Sequence, residues 1–208
     1  MDNYKYIELR FDTAKLPVFK EVKGKAWVEY GEDNNYGQYL LSLYNESPKH
    51  GAIIKSKCGY IAGQGFEVPG IANSKGETWN NILRRLTKDD ELFRGFYLQV
   101  IWNRLGQIAD VFHIEFNKVR PSKDLTLFYV KNDWKDGREK PREYPAFNVN
   151  NRVGSQIFYF KEYNPTSDIY PVPSYIQSLA YIESDIQVSR HILGNAKQGF
   201  VGSKLINL

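Results

Sequence analysis

The chain has 208 residues, 42% hydrophobic and 15% aromatic, and its 28 Lys and Arg against 24 Asp and Glu leave a net charge of +4. That length can bury a real core as one large domain or two small ones, and the composition excludes a disordered or collagen-like chain. The single cysteine, Cys58, excludes an intramolecular disulfide framework, cannot by itself make a Cys-based zinc site, and reads as a small buried apolar residue in a reducing compartment.

From the amino terminus, MDNYKYIELRFD has no apolar stretch behind basic residues, so no secretory signal is expected. No segment approaches the roughly 20 apolar residues of a membrane span, and the chain reads as soluble and intracellular. Alternating runs at Tyr6 to Phe11 and Ala26 to Tyr30, closed by the turn GEDNN, predict an arm or peripheral strand. Asn35 is placed to cap a helix through Tyr44, with Tyr36, Leu40, Leu43 and Tyr44 at helical spacing. Ser47 and Pro48 form an N-cap and N1 pair for a second helix to about Ala62, with Ile53, Ile54, Cys58 and Ile61 on one side. Gly59, Gly63 and Gly65 close this helix rather than open one, so they read as a C-cap and not as a phosphate loop. A third helical pattern runs from Glu77 to Phe93, with a break expected at Thr87 to Asp90 and the run Asp89, Asp90, Glu91 read as a solvated face.

Extended runs follow. Phe96 to Trp102 and Ile108 to Ile114, joined through Arg104-Leu105-Gly106, predict a hairpin, since both arms are β-branched or aromatic and the turn holds a glycine. Leu125 to Lys131 and Gln156 to Glu162 add two more strands. The expected class is α+β: a mostly antiparallel sheet covered on one face by short helices, then a long C-terminal helix. Residues 117 to 142 hold eight basic and four acidic side chains, which accounts for the net charge and reads as a solvated hairpin tip or a phosphate-contacting patch.

The last helix is expected from Tyr175 to Gln198, with Ser174 and Gln177 spaced as a capping box behind Pro171 and Pro173. Leu179, Ile182, Ile186, Ser189, Leu193, Ala196 and Phe200 follow alternating steps of four and three along it, a narrow seam built for another helix or for the sheet of the same chain. Behind Gly199 the residues FVGSKLINL begin like a strand. His50, His113 and His191 lack partners at ligand spacing, and neither a G-x-S-x-G elbow nor a Walker lysine is present. No enzyme activity, metal or cofactor is therefore expected, and His113, in a strand, reads as a hydrogen-bonded structural histidine.

Three blocks, YLLSLYNESPKHGAIIKSKCGYIAGQGF (39 to 66), FRGFYLQVIWNRLGQIADVFHIEFNKVR (93 to 120) and YPVPSYIQSLAYIESDIQVSRHILGNAKQGF (170 to 200), together resemble the portal proteins of tailed bacteriophages, in particular those of phages and prophages of Bacteroidetes hosts. The resemblance covers about residues 27 to 208. It implies a virion structural subunit that forms a ring, usually of twelve copies, at one capsid vertex, through which double-stranded DNA is packaged and later leaves. Beyond the N-terminal arm or peripheral strand read at residues 1 to 25, it divides the chain into a wing-like α+β domain (26 to 168) and a stem-like helix with the start of a clip (169 to 208). The seam residues would then face neighbouring copies, and Arg190 and Lys197 are the candidates for contact with the DNA backbone. The implied partners are further copies of the chain, the major capsid protein, the terminase and a head-tail adaptor, with no membrane, in the virion and, during assembly, in the host cytoplasm. A portal continues into a clip, a second stem helix, a tunnel loop and a crown, so a fragment or truncated form is expected.

A second reading treats the chain as a stand-alone nucleic-acid-binding module that stacks bases on aromatic strands beside the basic hairpin. It requires Tyr97, Trp102 and Tyr129 exposed on one face.

Overall fold

The computed structural model describes residues 19–197. The run Tyr6 to Phe11, the strand-like start after Gly199 and Phe200 lie outside them. The described elements are strands β1 (Glu21–Val22) and β2 (Glu29–Tyr30), helices α1 (Tyr36–Glu46), α2 (Pro48–Ala62) and α3 (Trp79–Phe93), strands β3 (Gly95–Trp102), β4 (Ile108–Ile114), β5 (Val119–Pro121), β6 (Leu127–Val130), β7 (Arg142–Pro145) and β8 (Ser155–Lys161), and helix α4 (Leu179–Lys197). The α+β class with a long C-terminal helix is as expected.

Helices α2 and α3 start where the local chemistry puts them, whereas Asn35 makes no side-chain cap bond at the start of α1. Ser47 Oγ accepts the His50 backbone N–H (3.2 Å) with Pro48 at the first helical position, and α2 ends at Gly63 with φ +50°. The Thr78 hydroxyl caps α3 by accepting from Asn81 N–H (3.3 Å). The break expected at Thr87 to Asp90 is absent, because the acidic run is held inside and not solvated. Asp89 Oδ2 takes hydrogen bonds from His113 Nε2 (2.8 Å) and Phe116 N–H (3.2 Å), while Glu91, 2% exposed, pairs with Lys57. Asp90 and Glu162 bind the Arg94 guanidinium (3.2 and 2.5 Å), which fastens Arg94 in the left-handed conformation that ends the helix. His113 is thus the hydrogen-bonded structural residue its strand position implied.

The sheet differs from expectation. β3 and β4 pair antiparallel as the predicted hairpin, and β8 adds antiparallel on the other edge of β3, giving the order β4-β3-β8. The run around Leu125 to Lys131 does not join them. It supplies β6, the centre of a separate antiparallel sheet β5-β6-β7. β5 and β7 are only three and four residues long and each ends in proline, too short for an alternation to register. A parallel bridge between Ala146 and Ile157, with Phe147 N–H donating to Ile157 O (2.9 Å), joins the two sheets.

Rings from both sheets and from the helices meet in one core. Tyr30 stacks on Tyr170 (4.3 Å between centroids), Phe93 on Phe116 (4.7 Å) and Tyr97 on Tyr159 (4.4 Å). Tyr97 is 0% and Tyr129 5% exposed, and Trp102 stacks on Phe147 (5.7 Å). The aromatic-strand module therefore fails: its rings are spent on packing and offer no shared face to bases. The basic stretch is also less of a patch than its composition implies, since Arg120 and Lys131 are buried. Gly95 is required by close approach, because a Cβ there would lie 2.7 Å from Phe160 O and 3.0 Å from Pro171 Cγ.

Phe116 touches Phe93, Tyr97 and Tyr30 at once, so it links α3, the larger sheet and the β1–β2 ribbon. Phe116→Ala is expected to cost about 3–5 kcal/mol in urea unfolding, with all optical probes losing stability together.

Candidate assembly surface

The last helix begins later than the Ser174 capping box implies. Ile176 N–H bonds Pro173 O (3.1 Å) and Ser178 N–H bonds Tyr175 O (2.9 Å), so a 3₁₀ turn at Ile176–Ser178 precedes α4. The two prolines hold residues 171 to 173 out of helix, and the first bonds available to the following N–H groups are these tighter ones.

The predicted seam divides along its length. Leu179 is half-buried, and Ile182 and Ile186 are buried against the chain's own α1 and α2. Ser189 is intermediate. Leu193, 54% exposed, and Ala196 face solvent. The proximal half of the seam is therefore covered by its own fold and is not available to another copy, a correction to the expectation for Ile182 and Ile186. The distal half is free of cover among the described residues.

Polar contacts fix the docked half. Ser47 Oγ, while capping α2, donates to Asp185 Oδ2 (2.8 Å), and Lys49 pairs with Asp185 Oδ1 (3.2 Å). These partners, the hydroxyl first, hold the Asp185 carboxyl below its usual range. Arg190 pairs with Glu46, so its charge is already partnered within the chain. Lys197, the other backbone-contact candidate, is exposed at the end of α4.

A second apolar stripe, not singled out in the sequence, lies on α4 beside the seam. Tyr181 (81% exposed), Val188 (58%) and Ile192 (62%) repeat at steps of seven and four, about a third of a turn from Ile182 and Ile186. The same spacing rule would have found it. The more strongly apolar seam masked it, since Asp185 interrupts the stripe. Between this stripe and Ile53 and Ile54 of α2 runs a groove of about 580 Å³. Its wall includes His50, 6% exposed, whose ring packs on Tyr175 (4.4 Å) and whose Nε2 has no hydrogen-bond partner among the described residues. Ile53 (58%) and Ile61 (51%) show that the apolar side predicted for α2 is sealed only at Ile54 and, in part, at Cys58.

Among the described residues no group of His, Cys, Asp and Glu is arranged to hold a metal, and no helix is long and apolar enough to cross a membrane. The sequence matches no protein-family model and no curated protein. Solved structures do match. One chain is from the virion of a native gene transfer agent particle, with a TM-score of 0.63 and 11% identity over 86% of this chain and 47% of that one. A second is from the neck of an empty gene transfer agent particle computed with C6 symmetry, with a TM-score of 0.63 and 12% identity over 86% of this chain and 48% of that one. The chain thus spans about half the length of these neighbours and shares their fold.

Burial pushes the His50 imidazole pKa down. The unfolded chain takes up a proton near pH 6.5 while the folded ring resists it, so this residue's contribution to stability is present above that pH and is lost as the pH falls through the lowered folded value. His50→Leu is expected to flatten the stability profile between about pH 7 and 5 in denaturant titrations, while the loss below about pH 4, to which Asp185 contributes, remains.

Proposed function

We propose that the chain is a virion structural subunit of phage type, and more closely that it forms the wing and first stem helix of a portal ring that conducts double-stranded DNA. The observation that carries this reading is the fold shared over 86% of the chain with proteins of a gene transfer agent virion and neck. The free distal half of α4 supports it, because a helix docked at one end and apolar at the other is suited to packing against a neighbouring subunit. In this reading the domain of residues 26 to 168 is the wing, residues 169 to 208 are the stem and clip start, and Leu193, Ala196, Phe200, Val188 and Ile192 meet adjacent copies.

The mechanism is geometric. Repetition of one head-to-tail contact closes a ring and encloses a channel. Contact with DNA would be to backbone charge and independent of sequence, with Lys197 better placed than Arg190, whose guanidinium is shared with Glu46. The chain itself would catalyse nothing. The work of packaging would belong to a terminase, and the capsid protein and a head-tail adaptor would be the flanking partners.

Mass photometry and electron microscopy of the protein over a range of concentrations test the proposal. Rings with a central opening are expected. Monomers at every concentration would overturn it. Ile192→Asp with Leu193→Asp should abolish the rings and change stability by no more than about 0.5 kcal/mol per site, since both side chains are exposed in the single chain. Ile186→Asp should instead unfold the protomer.

A further inference from the structure

Arg120, on β5, is the largest fully buried side chain of the described residues, at 1% exposure. All its hydrogen bonds among the described residues go to neutral oxygens. Nε donates to Asn34 Oδ1, Nη1 to Asn117 O and Val119 O (2.9 Å each), and Nη2 to Asn34 O (3.0 Å). Its Cζ lies 5.0 Å from the Trp134 ring centroid and 5.9 Å from that of Tyr30. These contacts explain how Arg120 holds Asn34 in its left-handed turn (φ +57°), but they leave the positive charge unanswered.

Buried charges are ordinarily paired, and a guanidinium cannot escape by losing its proton. Among the described residues no carboxylate lies within ion-pair distance of Arg120. The nearby Glu29 is committed to Lys25 (2.5 Å), and Asp133 Oδ1 accepts the Lys135 backbone N–H (2.8 Å). Beside the guanidinium lies a pocket of about 300 Å³, lined by Asn34, Gln38, Asn117, Asn132 and Trp134 together with Asp133 and Lys135. Among the described residues one Nη2 N–H is uncommitted. Arg120 and Lys135 against Asp133 leave the lining with one net positive charge, which suits a monoanion better than a phosphate dianion.

We propose that this pocket binds a carboxylate, with Arg120 as the buried cation that recognises it and the surrounding amides as neutral walls. The carboxylate belongs to a free small acid or to an acidic side chain of another copy of the chain. Neither source depends on the ring assignment, so failure of one proposal leaves the other standing.

The test uses the full chain and sodium acetate as the probe. At constant ionic strength, replacing chloride by acetate should raise the melting temperature and shift the Arg120 side-chain Nε–H resonance saturably, and phosphate should do less than acetate. Gln38→Glu keeps the acceptor for Asn117 Nδ2 and brings a carboxylate to the pocket wall, so it should remove the acetate increment. If another copy supplies the group, concentrating the chain without acetate shifts the same resonance, and dilution reverses it. Three results overturn the proposal: no difference between acetate and chloride in either readout together with no concentration dependence, an equal acetate increment in wild type and Gln38→Glu, or a strong loss of stability in Asp133→Asn, which would make Asp133 the counter-charge.

Discussion

The hydroxyl of Ser47 links two helices that are distant in sequence, accepting from His50 N–H to start α2 and donating to Asp185 to seat α4. Ile182 and Ile186 close beside it, and Arg190 with Glu46 marks the last described polar tie before the helix leaves the body. Full burial of a leucine or isoleucine side chain is worth about 1.5–3 kcal/mol, so these few contacts suffice to fix the direction of a helix whose distal apolar side chains stay exposed among the described residues. Where the docked half ends decides which residues are left for a partner.

The route into α4 is set by the core. Glu21 Oε1, on β1, accepts the backbone N–H groups of Ile169 and Tyr170 (2.8 Å each) and the hydroxyl of Ser167 (2.6 Å). Tyr170 OH donates to Val28 O (2.5 Å), and Tyr175 OH donates to Leu92 O (2.8 Å). The proline-punctuated segment before α4 thus has its backbone and its tyrosines bound on either side, by the β1–β2 ribbon and by the end of α3. A core this rich in tyrosine can be dense and still place hydroxyls where irregular backbone needs donors. The small ribbon matters more than its two-residue strands imply, because it holds the base of the long helix.

Chemistry follows from this architecture mainly by what it commits. The Asp89–His113 contact joins α3 to β4, and the Glu91–Lys57 pair joins α3 to α2. Surfaces are less committed. Apolar side chains stand exposed on the distal part of α4 and along α2, in a fold shared with proteins of gene transfer agent particles. Exposed apolar stripes of this kind are what the proposed assembly would cover.

Much of the local structure was legible in the residues. The Ser47-Pro48 start, the Gly63 stop, the β3–β4 hairpin and the presence of a long last helix rest on capping, turn and periodicity rules that act over a few positions. The continuity of α3 was not legible, because a carboxylate run reads as solvated until His113, Phe116 N–H and Lys57 arrive from elsewhere to bind it. Nor was the division into two sheets, because β5 and β7 are too short to carry a pattern and are specified by their pairing with β6. The spacing of apolar residues along α4 was legible, but whether an isoleucine faces its own chain or another depends on where α1 and α2 lie. The sequence alone determined which stretches fold as helix or strand and which faces are apolar, since those follow from nearest neighbours and spacing. Only the tertiary structure decided which of those faces are already covered and which charge, at Arg120, is left without a counterpart among the described residues, since both are set by contacts between residues far apart in the chain.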